Sequence, residues 1–170
     1  MILLLAIVFS FGGCMVIAAG TYVAQWVYCV DDFELHKEEF EAIADFCQEY
    51  LAEQGNTGNE SWTFRYDEER ERLLCTKTEE PIYSTQKVTL PNEIQACFEK
   101  IEPTFWHEDA KLYAIICVGE TVYFTTHNNL YSVVYSPEGI PGYLDGVKEG
   151  MTLQILGDWY HVVEDIVPKE

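Results

Sequence analysis

The sequence predicts an α+β protein: an N-terminal membrane-spanning helix, then one domain with two helices packed on a mainly antiparallel sheet. Three observations carry that expectation. Met1 to Val30 contain no Asp, Glu, Lys, Arg or His. Phe33, Phe40, Ile43, Ala44, Cys47, Tyr50 and Leu51 then recur at helical spacing. From Ser61 onward the apolar period falls to two and turn residues recur, as in strands.

The opening run comes first. As a helix, residues 1–30 would extend about 45 Å, whereas a bilayer core of about 30 Å needs about 20 residues. Trp26 and Tyr28 lie near its far end, where amphipathic rings favour the headgroup layer, and Asp31 and Asp32 stop it. A cleaved secretory signal would begin with basic residues, and none is present, although Ala18-Ala19-Gly20 offers small residues for cleavage. Phe11-Gly12-Gly13-Cys14 resembles a lipid-attachment box, but the following Met15 to Ala19 are apolar rather than a polar linker. The expectation is a retained single-pass anchor embedded in lipid. Ala6, Ser10, Cys14 and Ala18 recur every four residues, a stripe that lets two spans approach and a route to homo-oligomers. Only Lys37 follows closely, so charge hardly orients the span; the default places the domain outside the cytoplasm.

Residues 31–170 form the second unit, an acidic globular domain that carries the whole formal charge of −19. Its length is that of one ordinary domain with a core of its own. The charge excludes a nucleic acid partner, because phosphate binding needs a basic face. It favours a basic protein or peptide.

Asp32 stands as N-cap of the first helix, with Glu34 in its first turn and Gly55 past its end. No Gly or Pro intervenes between Thr21 and Gln54, so the span is expected to continue into this helix as a stalk. The opposite face carries Glu34, Glu38, Glu41, Asp45, Glu49 and Glu53. Like charges four apart cost about 0.2–0.5 kcal/mol each, so burial of the apolar stripe must hold the helix. Strands are expected over 61–66, with Trp62, Phe64 and Tyr66 on one face, over 71–78 with Leu73 and Cys75 inward, and weakly over 82–89. Pro91 suits the start of a second helix, with Ile94, Cys97, Phe98 and Ile101 inward and Pro103 closing it. Strands 112–118 and 121–127 join through Gly119-Glu120, and Asn128-Asn129 leads to a strand over 130–136. Strands 151–156 and 159–166 close the domain as a hairpin over Gly157-Asp158. A helix followed by three strands thus occurs twice, without a residue-level repeat.

Cys47, Cys75, Cys97 and Cys117 fall on apolar faces, an even set that invites disulfides outside the cytosol. Cys47–Cys97 and Cys75–Cys117 is the first pairing to consider, against four reduced, buried thiols. Their wide spacing contains no CxxC, so no structural zinc site is expected. His107, Asp109 and His127 could be imagined around a metal, yet neighbours on an extended chain point apart, and no metal or other cofactor is expected. There is no GxSxG elbow, phosphate-binding Gly loop or EF-hand pattern. Asn59-Glu60-Ser61 is a glycan sequon. The remaining lead is aromatic. Phe105, Trp106, Tyr143 and Trp159 sit near turns and loops, where exposed rings act as recognition anchors. The functional expectation is therefore a membrane-anchored, extracytoplasmic binding or accessory module without catalysis. It would recognise a protein or peptide through loops 103–109 and 137–150 and the acidic helix face. A small hydrolase using His107 or His127 with carboxylates, and a structural subunit of a membrane assembly, are the alternatives.

Overall fold

The computed structural model describes residues 29–55, 60–67, 72–77, 85–105, 111–126, 131–144 and 150–164. The expected span up to Tyr28 and its small-residue stripe lie outside them. Among the described residues no helix is long and apolar enough to cross a membrane.

Two helices pack against one large antiparallel sheet. Helix α1 is Phe33–Glu53 and α2 is Asn92–Ile101, followed by a 3-10 turn over Glu102–Thr104. The strands are β1 (Ser61–Asp67), β2 (Arg72–Lys77), β3 (Gln86–Thr89), β4 (Leu112–Val118), β5 (Thr121–Thr126), β6 (Tyr131–Tyr135), β7 (Gly150–Leu156) and β8 (Trp159–Glu164). In space they run β3-β2-β1-β4-β5-β6-β8-β7. The two strand trios meet at the β1–β4 pair, and the closing hairpin adds to the β6 edge with β8 innermost. Gly119 and Gly157 take φ of +59 in the two tight turns, a conformation that costs other residues a clash at Cβ.

The period of α1 explains its path. Its apolar stripe is continuous, so the helix lies across the sheet, meeting strands from β8 at its start to β1 near its end. Phe33 stacks 5.1 Å from Trp159 on β8, and Phe40 meets Phe124 on β5 edge-on at 5.0 Å. Further along, Cys47 is buried in the same core cluster as Cys117 on β4, and Tyr50 lies 6.0 Å from Phe64 on β1. The Tyr50 hydroxyl, half-buried rather than enclosed, donates to Gln86 Oε1 on β3 at 2.6 Å. Each large side chain fully enclosed this way contributes about 1.5–3 kcal/mol, which outweighs the repulsion on the outer face. That face is solvated: Glu34, Glu38, Asp45, Glu49 and Glu53 are exposed, and Lys37 pairs with Glu41. Beside α1, helix α2 stacks Phe98 flat on Tyr66 at 4.6 Å. Lys100 donates to Glu39 across the helix pair at 2.7 Å and holds that carboxyl below its ordinary range.

The start of the domain differs from the expectation in two ways. Cys29 and Val30, expected within the apolar N-terminal segment, are buried in the domain core. Val30 bridges Phe105, and the Asp31 N–H donates to the Thr104 carbonyl at 2.8 Å. Nor does a helix run through as a stalk. Asp32 takes φ of +50, in the left-handed region, so the chain turns sharply between Val30 and Phe33. Asp32 occupies the N-cap position without a side-chain cap bond, and its carbonyl accepts the Leu35 N–H at 2.8 Å.

The far side of the sheet is covered by chain rather than helix. Because β8 lies between β6 and β7, the connection leaving β6 must cross β8 to reach β7. Its residues Tyr143 and Leu144 pack on Ala114, Ile116, Tyr123, Val134, Tyr160 and Val162. Two hydrogen bonds fasten it: the Tyr123 hydroxyl donates to the Gly142 carbonyl at 3.2 Å, and Leu144 N–H donates to the buried Glu164 carboxylate at 2.7 Å. Strands β4, β5 and β6 are thus enclosed on both faces, which matches their near-continuous apolar runs.

Candidate functional site

The sheet's outer edge at β7 groups three of the exposed large apolar side chains among the described residues. Its seven residues, Gly150 to Leu156, carry no charge and no proline. Strand β7 pairs with β8 and with no other described strand, so one row of its backbone donors and acceptors faces outward. Opposite residues in an antiparallel pair point to the same side. Met151 faces Val163, Leu153 faces His161 and Leu156 faces Trp159, which puts all three on the helix side of the sheet. The helix layer ends at β8, where Phe33 covers Trp159. Met151, Leu153 and Leu156 therefore stand outboard of it, 48%, 39% and 45% exposed. A register irregularity between Gln154 and Leu156 turns Ile155 inward against the core.

Natural edges are blunted by Lys, Pro or cover. The opposite edge, β3, is four residues long and includes Lys87. Among the described residues edge β7 has no such protection, and it lies in a chain of net charge −19. The arrangement can accept an extended strand through main-chain hydrogen bonds, with Met151, Leu153 and Leu156 as an apolar shelf beside it.

The aromatic anchors expected from the sequence behave otherwise. Trp159 is 1% exposed and is the hub of the core, with Phe33, Tyr135, Phe40 and Phe124 within 5.1 to 6.0 Å. Phe105 is buried as well, beneath Val30 and beside Phe40 at 6.2 Å. Both follow turns, but α1 and the residue 29–30 segment close over them, so neither is offered to a partner. Tyr143 is half-buried; its ring lies against Gly150, leaving no room there for a Cβ. Trp106 lies outside the described residues, as do His107, Asp109, His127, Asn59 and the 145–149 part of the second loop.

The five described cysteines are free thiols. Cys47, Cys117 and Cys75 come together beneath α1, whereas Cys97 lies apart beside Glu39 and Lys100. Neither half of the pairing considered from the sequence fits. Cys75 and Cys117 stand on strands separated by β1, opposite Phe64 and Trp62 respectively, so at the usual strand spacing they are more than about 9.5 Å apart, beyond the roughly 7 Å a disulfide spans. Cys97, on α2, lies beside Glu39, which is about two helical turns before Cys47 on α1. No group of three His, Cys, Asp or Glu side chains among the described residues could hold a metal ion. Buried His161 is held neutral, its imidazole pushed down to about 4 by desolvation.

Sequence reading placed the strand over 151–156 but singled out none of its side chains. The signal was there: apolar residues at 151, 153 and 156 without a single charge, in the last hairpin of the chain. What was missing is that β7, not β8, forms the edge. Searches against protein-family models, curated proteins and solved structures return no match for this chain.

Proposed function

We propose that the protein is a membrane-tethered, non-catalytic binding module that receives an extended segment of a partner protein along β7. The apolar residues up to Tyr28 supply the tether, and the acidic domain is displayed outside the cytoplasm. The observation that carries the reading is the charge-free edge Gly150–Leu156, which no described strand other than β8 pairs, with Met151, Leu153 and Leu156 exposed along it. A strand added there gains backbone hydrogen bonds and buries alternate side chains on the shelf. The surrounding net charge of −19 selects a partner with basic residues flanking that strand.

Photo-cross-linking in the native membrane tests this. A photoreactive side chain at position 153 should capture one discrete partner polypeptide, and Met151→Lys in the same chain should abolish the adduct. An adduct of twice the chain mass would mean that the edge pairs with a second copy. Adducts to lipid alone would mean that the shelf rests on the bilayer. Either result overturns the proposal.

A further inference from the structure

The thiol cluster under α1 has no part in that reading and is set by separate contacts. Helix α1 reaches β4 near its end, where Gln48 Nε2 donates to the Gly119 carbonyl at 3.1 Å. That bond fixes the helix lengthwise over the β4–β5 turn. One residue earlier, Cys47 faces into the same buried core cluster as Cys117, which lies two residues before Gly119 on β4. No other described thiol flanks that bond in the chain. Cys75 is within electrostatic reach of both but on the wrong strand, and Cys97 is on the outer part of α2.

We propose that Cys47 and Cys117 form a disulfide that pins α1 to the sheet when the chain folds in an oxidising compartment. The chemistry is thiol–disulfide exchange with a low-molecular-weight disulfide. Cys47 thiolate attacks the oxidant, releasing one thiol and leaving a mixed disulfide. Cys117 thiolate then attacks the Cys47 sulfur and releases the second thiol. Two S–H bonds are lost, one S–S bond forms, and the oxidant leaves as two thiols carrying both electrons and both protons.

Burial sets when this can happen. Desolvation pushes Cys47 well above the ordinary thiol range, so in the folded protein the attacking thiol is held protonated. Exchange therefore proceeds while the chain is folding, before α1 closes over β4. Once closed, the link joins positions 70 residues apart, a long loop whose closure in the unfolded chain costs considerable entropy.

The test refolds the full-length chain from urea in detergent with oxidised and reduced glutathione, blocks the remaining thiols by alkylation and maps the peptides by mass. A Cys47–Cys117 peptide pair is expected, with Cys75 and Cys97 alkylated and a Tm about 10 °C above the reduced protein. Cys97→Ser should leave both results unchanged, and Cys117→Ser should remove both. A link through any of the other four cysteines, Cys14, Cys29, Cys75 or Cys97, no link at all, or a Tm that fails to rise would overturn the assignment. None of these outcomes bears on β7, so the two proposals fail separately.

Discussion

Acidification should destabilise the domain through His161, and the size of the effect can be worked out. The residue lies on the helix side of β8 between Val133 on β6 and Leu153 on β7, and it is 1% exposed. Desolvation lowers its imidazole from 6.5 to about 4. The unfolded chain therefore takes up a proton more readily than the folded one between those values. A depressed folded value means the contribution is complete above about pH 6.5 and is lost as pH falls toward 4. Between pH 7 and about pH 4.5 the linkage amounts to roughly 2.5 kcal/mol. Twenty-nine acidic residues also titrate in that range, so the wild-type slope alone does not isolate the histidine. Urea unfolding of the full-length protein and of His161→Leu at both pH values does, because the carboxylates are common to both chains. Wild type should lose about 2.5 kcal/mol more than the variant on acidification. Equal losses, or a larger loss in the variant, would refute the claim that burial keeps His161 neutral.

Trp159→Ala should cost about 3–5 kcal/mol in urea unfolding, because it empties the meeting point of β8, β5 and α1. Trp159→Phe should cost well under half as much; a loss below about 1 kcal/mol for the alanine variant would return the ring to the surface. Gly150→Ala should destabilise by about 1–3 kcal/mol, since its Cβ would fall 2.5 Å from the Val163 carbonyl and 2.6 Å from the Tyr143 ring. Adding Tyr143→Ser should restore only part of the loss, as the backbone clash remains, and full recovery would show that the ring alone sets the constraint.

Much of the fold was legible because it is written in local periods. Phe33 to Leu51 at helical spacing marked α1 and its buried side, and Trp62, Phe64 and Tyr66 marked the inner face of β1. Gly119-Glu120 and Gly157-Asp158 marked the two tight turns and so the registers of β4 with β5 and β7 with β8. Each signal involves residues a few positions apart, where backbone geometry alone decides which side chains share a face. The β3 boundary was less clear; its outward residues Lys87 and Thr89 alternate weakly with Val88.

The site was not legible in the same way. Phe105 and Trp159 read as exposed rings because both adjoin turns, yet what covers them arrives from residues 30, 33 and 40. The order β6-β8-β7 likewise turns the last hairpin so that Gly150–Leu156 becomes the edge and Trp159 the core. The meeting of Cys47 with Cys117 depends on where α1 crosses the sheet. By itself, then, the sequence determined which segments are helix or strand, which of their faces are apolar and that the chain is strongly acidic. Tertiary structure decided which strand lies outermost, which rings are enclosed and which thiols touch, because those outcomes come from pairings between distant segments that no local period encodes.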